Sequence, residues 1–219
     1  MKIPQEVIDS ISTKNVEKND SIEIRKESFK RYLIDDNHTI DQVIDRYLLF
    51  GTPYVFENDE ETFFALKADI ADYLNIKQTQ IYVVGSAKLG FSIAPGKLFK
   101  NFDDDSDIDI AIIDDVLYLE RWRLLYKYYP KIMRSPHSEE EDNIYDKFKD
   151  YFFRGWLRPD LFPMKYKQEW FDYFVKLNRI YKYRIAAGIY RDFGFFSDYH
   201  SGNLKKLRNS LREDDSKND

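Results

Sequence analysis

Apolar residues in the N-terminal third of the chain recur every three or four residues, which is the spacing of an amphipathic helix. This pattern predicts helices over Ile22–Leu33, Thr39–Phe50 and Glu61–Leu74. The third helix starts with acidic residues, which suit the positive end of a helix dipole. Its apolar face needs a partner, and we expect a sheet to cover it.

Short runs of β-branched and aromatic residues predict three strands. Ile81–Val84 stops abruptly at Gly85, as expected for a buried strand that enters a turn. Ile108–Ile113 is a second run of this kind, and Tyr183–Tyr190 is a third. The chain therefore has enough strands for a small mixed sheet.

Helical spacing returns between and after these strands. It predicts helices over Val116–Tyr128, Glu139–Phe153, Glu169–Leu177 and Ser197–Leu211. Pro130 is expected to close the first of them. The helices lie mostly before and after the strands, so the predicted class is α+β: a small mixed β-sheet flanked by helices, with N-terminal and C-terminal helical segments.

No internal repeat and no linker rich in glycine, serine or proline divides the chain, so a single domain is the simpler organisation. Within it we expect an N-terminal helical segment, residues 1–60, that packs on a core. The core, residues 61–212, has a helical C-terminal part. Residues 213–219 are polar enough to form a disordered tail.

The composition of the 219 residues limits the classes of function. Hydrophobic residues make up 43% of the chain, which is enough for a core without staples. Because there is no cysteine, disulfides, thiolate metal sites and thiol nucleophiles are excluded. No leader and no apolar stretch near the roughly 20 residues of a membrane span is visible, so we expect a cytoplasmic protein. The net charge of −5 does not favour nucleic acid as a partner.

Acidic and aliphatic residues alternate at the start of the second predicted strand. A strand repeats every two residues, so Asp107 and Asp109 share one face while Ile108, Ile110 and Ile112 share the other. Two carboxylates at such short range repel each other unless a cation lies between them. The pair therefore predicts a site for a hard divalent ion, Mg²⁺ or Mn²⁺.

A glycine-serine turn precedes this strand in the chain. Gly85 allows close approach of the backbone to a ligand, and Ser86 offers a hydroxyl and an amide to phosphate oxygens. Lys88 follows two residues later, and Lys97 and Lys100 add positive charge before the acidic strand. Together these residues suit a triphosphate held against metal ions.

The two motifs resemble the signature of the DNA polymerase β-like nucleotidyltransferase superfamily. The resemblance lies in Val84-Gly85-Ser86 and in Ser106-Asp107-Ile108-Asp109-Ile110, and it covers residues 81–113. It is similar in particular to minimal and defence-associated bacterial members. The resemblance implies a mixed sheet of the polymerase β-like type, metal ions on the two acids, and a nucleoside triphosphate beside the turn, with Ser106 and Lys88 among its contacts. It also implies transfer of a nucleotidyl group to a hydroxyl.

The chain departs from that family pattern in two ways. Twenty residues separate Ser86 from Asp107, so an inserted loop must sit at the mouth of the site. The family also supplies a third carboxylate from a neighbouring strand, and no second acidic strand motif is obvious here. Asp192, after the third predicted strand, is the candidate for this metal ligand and general base, and Asp160 is the alternative.

The predicted function is therefore metal-dependent transfer of a nucleoside monophosphate to an acceptor hydroxyl, with possible settings in bacterial antiviral defence or a toxin–antitoxin pair. The acceptor is either another nucleotide or a protein hydroxyl, and a partner protein encoded nearby is one expected target. The alternative is a catalytically silent module that senses nucleotide or scaffolds a complex. Its mark is a missing third carboxylate.

Overall fold

A four-stranded mixed sheet organises the chain, in a computed structural model that describes residues 21–132, 138–162 and 164–218. The strand order is β1-β2-β4-β3. β2 and β4 run parallel, and β1 and β3 pair antiparallel at the two edges. The strands are β1 (Ile81–Val84), β2 (Ile108–Ile113), β3 (Trp156–Leu157) and β4 (Ile185–Tyr190).

Eight helices surround this sheet in the described part of the chain. They are α1 (residues 21–34), α2 (Ile40–Ile44), α3 (Glu60–Leu74), α4 (Gly85–Leu89), α5 (Asp115–Ile132), α6 (Glu139–Phe153), α7 (Met164–Tyr181) and α8 (Phe193–Asn218). A π-helical turn, Asp45–Leu49, continues α2. The predicted α+β class is confirmed, with helical segments on both sides of the strand-bearing region.

The predicted elements agree with the structure where periodicity is strong. β1, β2 and α6 have the predicted bounds, and β4 starts at Ile185, two residues later than expected. β3 was not predicted, because two residues are too short to show a period. α4 was also missed, since a single helical turn after Gly85 has no apolar stripe that distinguishes it from a loop.

Two helix ends were predicted wrongly. α5 continues past Pro130 to Ile132; a proline so close to a helix end removes only one backbone hydrogen bond from the last turn. α8 runs on to Asn218, so residues 213–218 are helical and not a disordered tail. Asp219 lies outside the described residues.

The sheet is the middle layer between two apolar clusters. On one face, Ile108, Ile110 and Ile112 of β2 pack with side chains of α3, α5 and α7. On the other, Ala111 and Ile113 pack with side chains of α1, α2 and α8. β2 is therefore covered on both faces along most of its length. No helix in the described ranges is long and apolar enough to cross a membrane.

The N-terminal helices are tied to the C-terminal helix by side chains of α8. The Arg208 guanidinium donates to the carbonyl oxygens of Leu33 at 2.6 Å and His38 at 2.8 Å, and Arg212 donates to that of Ile34 at 2.6 Å. The carbonyls of Leu33 and Ile34 are at the end of α1, where helical partners are lacking and cations are favoured. The end of α1 and the turn after it thus contact α8, whereas residues 1–20 lie outside the described ranges.

We expect Arg208→Ala to lower the free energy of unfolding by about 1–3 kcal/mol, because two partly buried carbonyls lose a charged donor. Urea denaturation followed by circular dichroism measures this change. Lys205→Ala, at an exposed site on the same helix, is the matched control and should shift stability by less than about 0.5 kcal/mol. Equal effects of the two substitutions would show that the contact does not stabilise the packing of α1 on α8.

Candidate functional site

Asp107 and Asp109 stand together at the start of β2. Asp107 directly precedes the strand and Asp109 is its second residue; both are exposed, while Ile108 and Ile110 between and after them are buried. This alternation agrees with the predicted shared face. Asp107 also accepts a 2.7 Å ion pair from Arg184, the residue before β4.

The glycine turn lies directly against this pair. β1 and β2 are paired so that Val84 is opposite Asp109, and Gly85 follows with φ of +66°, in the left-handed region that favours glycine. A Cβ atom at Gly85 would lie 3.1 Å from Oδ2 of Asp109. Glycine therefore avoids a tight contact with the carboxylate, and α4 begins at Gly85 with Ser86 as its second residue.

The environment of Asp109 disfavours its negative charge. Although part of the side chain meets solvent, burial against the surrounding protein raises the pKa of Asp109 to about 6, and the charge of Asp107 raises it further. The positive charges of Arg158 and Lys97 lower this pKa in part. The pair therefore holds two acids in a place where a cation would be stabilising.

The inserted segment between the two motifs folds back over the site. Phe91 and Asn101 form an antiparallel bridge, and the Phe99 amide donates to the Ser92 carbonyl at 2.7 Å. The ammonium of Lys97, in this loop, is close enough to Asp109 to lower its pKa. The predicted location of the loop at the mouth of the site agrees with this geometry.

Two predicted nucleotide contacts are engaged elsewhere. Lys88 is buried, and its ammonium donates to the carbonyl oxygens of Phe50, at 2.6 Å, and of Gly51. Lys88 is predicted as a phosphate ligand, but its side chain points into the protein in this structure, because side chains on a helical turn point in different directions. Ser106 does lie beside the pair, but its hydroxyl donates to Asp103 at 2.7 Å within the turn before β2.

Asp192 is not brought to the carboxylate pair. The parallel register places Asp109 beside Ala186, at the start of β4, whereas Asp192 follows the far end of that strand. Asp192 is six positions after Ala186, which corresponds to roughly 20 Å along an extended chain. Asp192 instead caps α8 by accepting from the Phe195 amide at 3.1 Å. The structure therefore does not place Asp192, predicted as third metal ligand and base, beside the pair.

The carboxylate of the alternative acid, Asp160, is also paired with another side chain. Arg158 donates to its two carboxylate oxygens at 3.1 and 2.7 Å. On the strand next to Asp109, Ala186 and Gly188 share its face and have no ligand atoms in their side chains, and Tyr190 shares it at the far end of the strand. Among the described residues, no three His, Cys, Asp or Glu side chains are grouped as a metal site would require.

Arg158 and Arg184 are the basic residues near the pair that the sequence reasoning missed. Arg184 directly precedes β4, so its approach to Asp107 follows from the parallel pairing of β2 with β4. Arg158 follows the two-residue β3, which no periodicity marks. The sequence pattern could have indicated Arg184, because it is a charged residue next to a predicted strand, but it could not have indicated Arg158.

Two carboxylates without a third can hold Mg²⁺ only if other ligands complete its coordination. Mg²⁺ is commonly held by one or two protein carboxylates together with substrate phosphates. Asp107 and Asp109 satisfy that requirement, because both are exposed on one face and a cation would relieve their mutual repulsion. They do not fit a fully protein-held ion, so water or the phosphates of a ligand would complete the coordination.

Replacing Asp109 by asparagine should stabilise the protein at high pH. Its pKa in the folded state, about 6, is above the ordinary 3.8, so its contribution to stability is present below about 3.8 and lost as pH rises through 6. We expect Asp109→Asn to gain about 1 kcal/mol at pH 8, allowing for solvent screening, and almost nothing at pH 4. Thermal denaturation in EDTA at both pH values measures this.

The matched control is Asp104→Asn, in the exposed turn before β2. It should show no gain in stability between the two pH values. A gain of the same size at Asp104, or none at Asp109, would contradict the assigned repulsion.

Comparison with protein-family models, with curated proteins and with solved structures finds no match for this chain. The resemblance to nucleotidyltransferases therefore depends on the motif residues themselves, at Gly85-Ser86 and Asp107-Ile108-Asp109. The geometry described above is independent of that resemblance.

Proposed function

We propose that this chain binds a nucleoside triphosphate with Mg²⁺ or Mn²⁺ at Asp107 and Asp109, and transfers its nucleotidyl group to an acceptor hydroxyl. The observation that supports this most strongly is the approach of Gly85 to Asp109, where a Cβ atom would lie 3.1 Å from the carboxylate. A backbone turn with no side chain, placed against paired carboxylates, leaves room for phosphates beside metal-binding oxygens.

The charges around the pair also favour a metal-bound anion. The two acids alone would repel a triphosphate. Lys97 and Arg158 lie near Asp109, and Arg184 pairs with Asp107, so positive groups lie around the acids. A divalent ion, when bound, would neutralise charge on the phosphates and on the carboxylates together.

The residues of the chain then have separate tasks. Asp107 and Asp109 hold the cation, and the turn at Gly85 and Ser86 receives the phosphates that leave. The acceptor oxygen forms a bond to the α-phosphorus, the bond from that phosphorus to pyrophosphate breaks, and the hydroxyl proton passes to a base. Asp192, predicted for that base, is too far away, so the base is another group or water.

A second candidate function is nucleotide binding without transfer. It is favoured by one observation: Ala186 and Gly188 occupy the neighbouring strand where the family pattern would place a third carboxylate. Such a module would bind the metal–nucleotide complex through Asp107 and Asp109 and report it to a partner. The two functions share the binding site and differ in turnover.

Incubation with each α-labelled nucleoside triphosphate and Mg²⁺, alone and with candidate acceptors, tests both functions. We expect labelled product from the wild type and release of pyrophosphate. The double substitution Asp107→Asn with Asp109→Asn should lower kcat/KM at least about 100-fold, since even outer-shell partners of metal sites often contribute 10- to 100-fold. Calorimetry with the same nucleotides measures binding separately from turnover.

Asp104→Asn serves again as control, because it removes a nearby exposed acid and should leave both binding and transfer intact. Binding without any labelled product would favour the sensing function. Absence of magnesium-dependent nucleotide binding would reject both.

A further inference from the structure

We propose that the acceptor hydroxyl belongs to a small phosphorylated molecule, and that Arg158 binds the phosphate of this acceptor. The inference depends on the proposed nucleotidyl transfer and names the class of its second substrate. The residues that support it lie on the side of the carboxylate pair opposite the glycine turn.

Part of β4 separates Arg158 from Asp109 on the same face of the sheet. β4 lies between β2 and β3, with Asp109 beside Ala186; continuing the register of β3, Arg158 lies beside Gly188. Gly188 is buried beneath Trp156, whose indole nitrogen would clash with a Cβ atom there, so exposed Ala186 is the open surface between the acid and the guanidinium. The two backbones are two strand spacings apart, roughly 10 Å.

Contacts confirm that Arg158 is on this face. Its guanidinium lies over Trp156, 5.5 Å from the ring centroid, and Trp156 stacks on Tyr190, which belongs to the cluster below that face. The charge of Arg158 also lowers the pKa of Asp109. A small group placed over Ala186 would thus have the acid on one side and Arg158 on the other.

The guanidinium is held in one orientation and has donors left. It forms two hydrogen bonds to Asp160, one to the Tyr151 hydroxyl, and lies 5.0 Å from the centroid of the Tyr151 ring. A guanidinium has five N–H donors, so these three bonds leave two. Arginine that presents a fixed pair of donors is suited to phosphate. Asp160 is therefore a positioning residue for Arg158.

The direction of the reaction assigns this anion site to the acceptor. In phosphoryl transfer, the attacking and leaving oxygens are roughly in line on opposite sides of the phosphorus. Gly85 lies on the β1 side of Asp109, and Arg158 lies on the β4 side. If pyrophosphate leaves at the turn, the acceptor oxygen arrives from the β4 side, where Arg158 lies. A protein hydroxyl would need no fixed cation there, whereas the phosphate of a small acceptor would bind one.

The test uses wild-type protein saturated with Mg²⁺ and a nucleoside triphosphate analogue that has a methylene bridge between its α and β phosphates. The complex is titrated calorimetrically with the four 5′-nucleoside monophosphates and with the matching nucleosides. We expect at least one monophosphate to bind about 10- to 100-fold more tightly than its nucleoside, as a charge-assisted contact provides.

Arg158→Gln should reduce that ratio to about one and leave the affinity for the analogue unchanged. Asp160→Asn should reduce the ratio in part, because it frees the guanidinium to reorient. Arg154→Gln, at an exposed arginine that pairs with Asp150, is the matched control and should keep the full ratio. Thermal melting verifies folding; Arg158→Lys, which keeps the charge without the fork, is the second variant and should also lower the ratio.

Equal affinity for monophosphates and nucleosides in the wild type would overturn the inference, as would an unchanged ratio in Arg158→Gln. Transfer of label to a protein side chain in place of a small molecule would overturn it too. These outcomes leave the proposed function standing if the analogue binds. Failure of the analogue to bind rejects the proposed function itself, and with it the acceptor assignment.

Discussion

The repulsion between two carboxylates at the first end of β2 is the constraint on which the rest of the site depends. Asp107 and Asp109 share a face, and burial raises the pKa of Asp109 to about 6. Positive charges from three separate segments, at Lys97, Arg158 and Arg184, partly offset this repulsion. Such an arrangement costs stability without a bound cation, which is typical of sites that serve a ligand.

Asp107 and Asp109 lie at the start of β2, the most buried strand of the sheet. Beyond Asp109, every residue of β2 is buried, and the two apolar clusters hold it from both faces. A rigid strand fixes the two carboxylates more closely than a loop would. The hairpin-like loop from Phe91 to Asn101 lies at the rim and brings Lys97 close enough to Asp109 to lower its pKa.

The neighbouring strand gives the site its particular character. Where the family pattern leads one to expect a third acid, β4 presents Ala186 and Gly188, and the next charged group across the sheet is the guanidinium of Arg158. A cation at that location cannot bind a metal ion. A guanidinium in place of a carboxylate favours an anion over a metal ion on this side of the pair. The absence of a third acid on β4 is therefore consistent with the proposed phosphorylated acceptor.

Local pattern was sufficient to predict β1, β2 and the shared face of Asp107 and Asp109, because a period of two residues is a property of the strand alone. It was not sufficient for Asp192, Lys88 or Arg158. Their placement depends on strand order, on register between distant segments and on the direction of a side chain from one helical turn. These are long-range features, decided by how the elements pack, and only the tertiary structure shows that an arginine and not a third aspartate faces the pair.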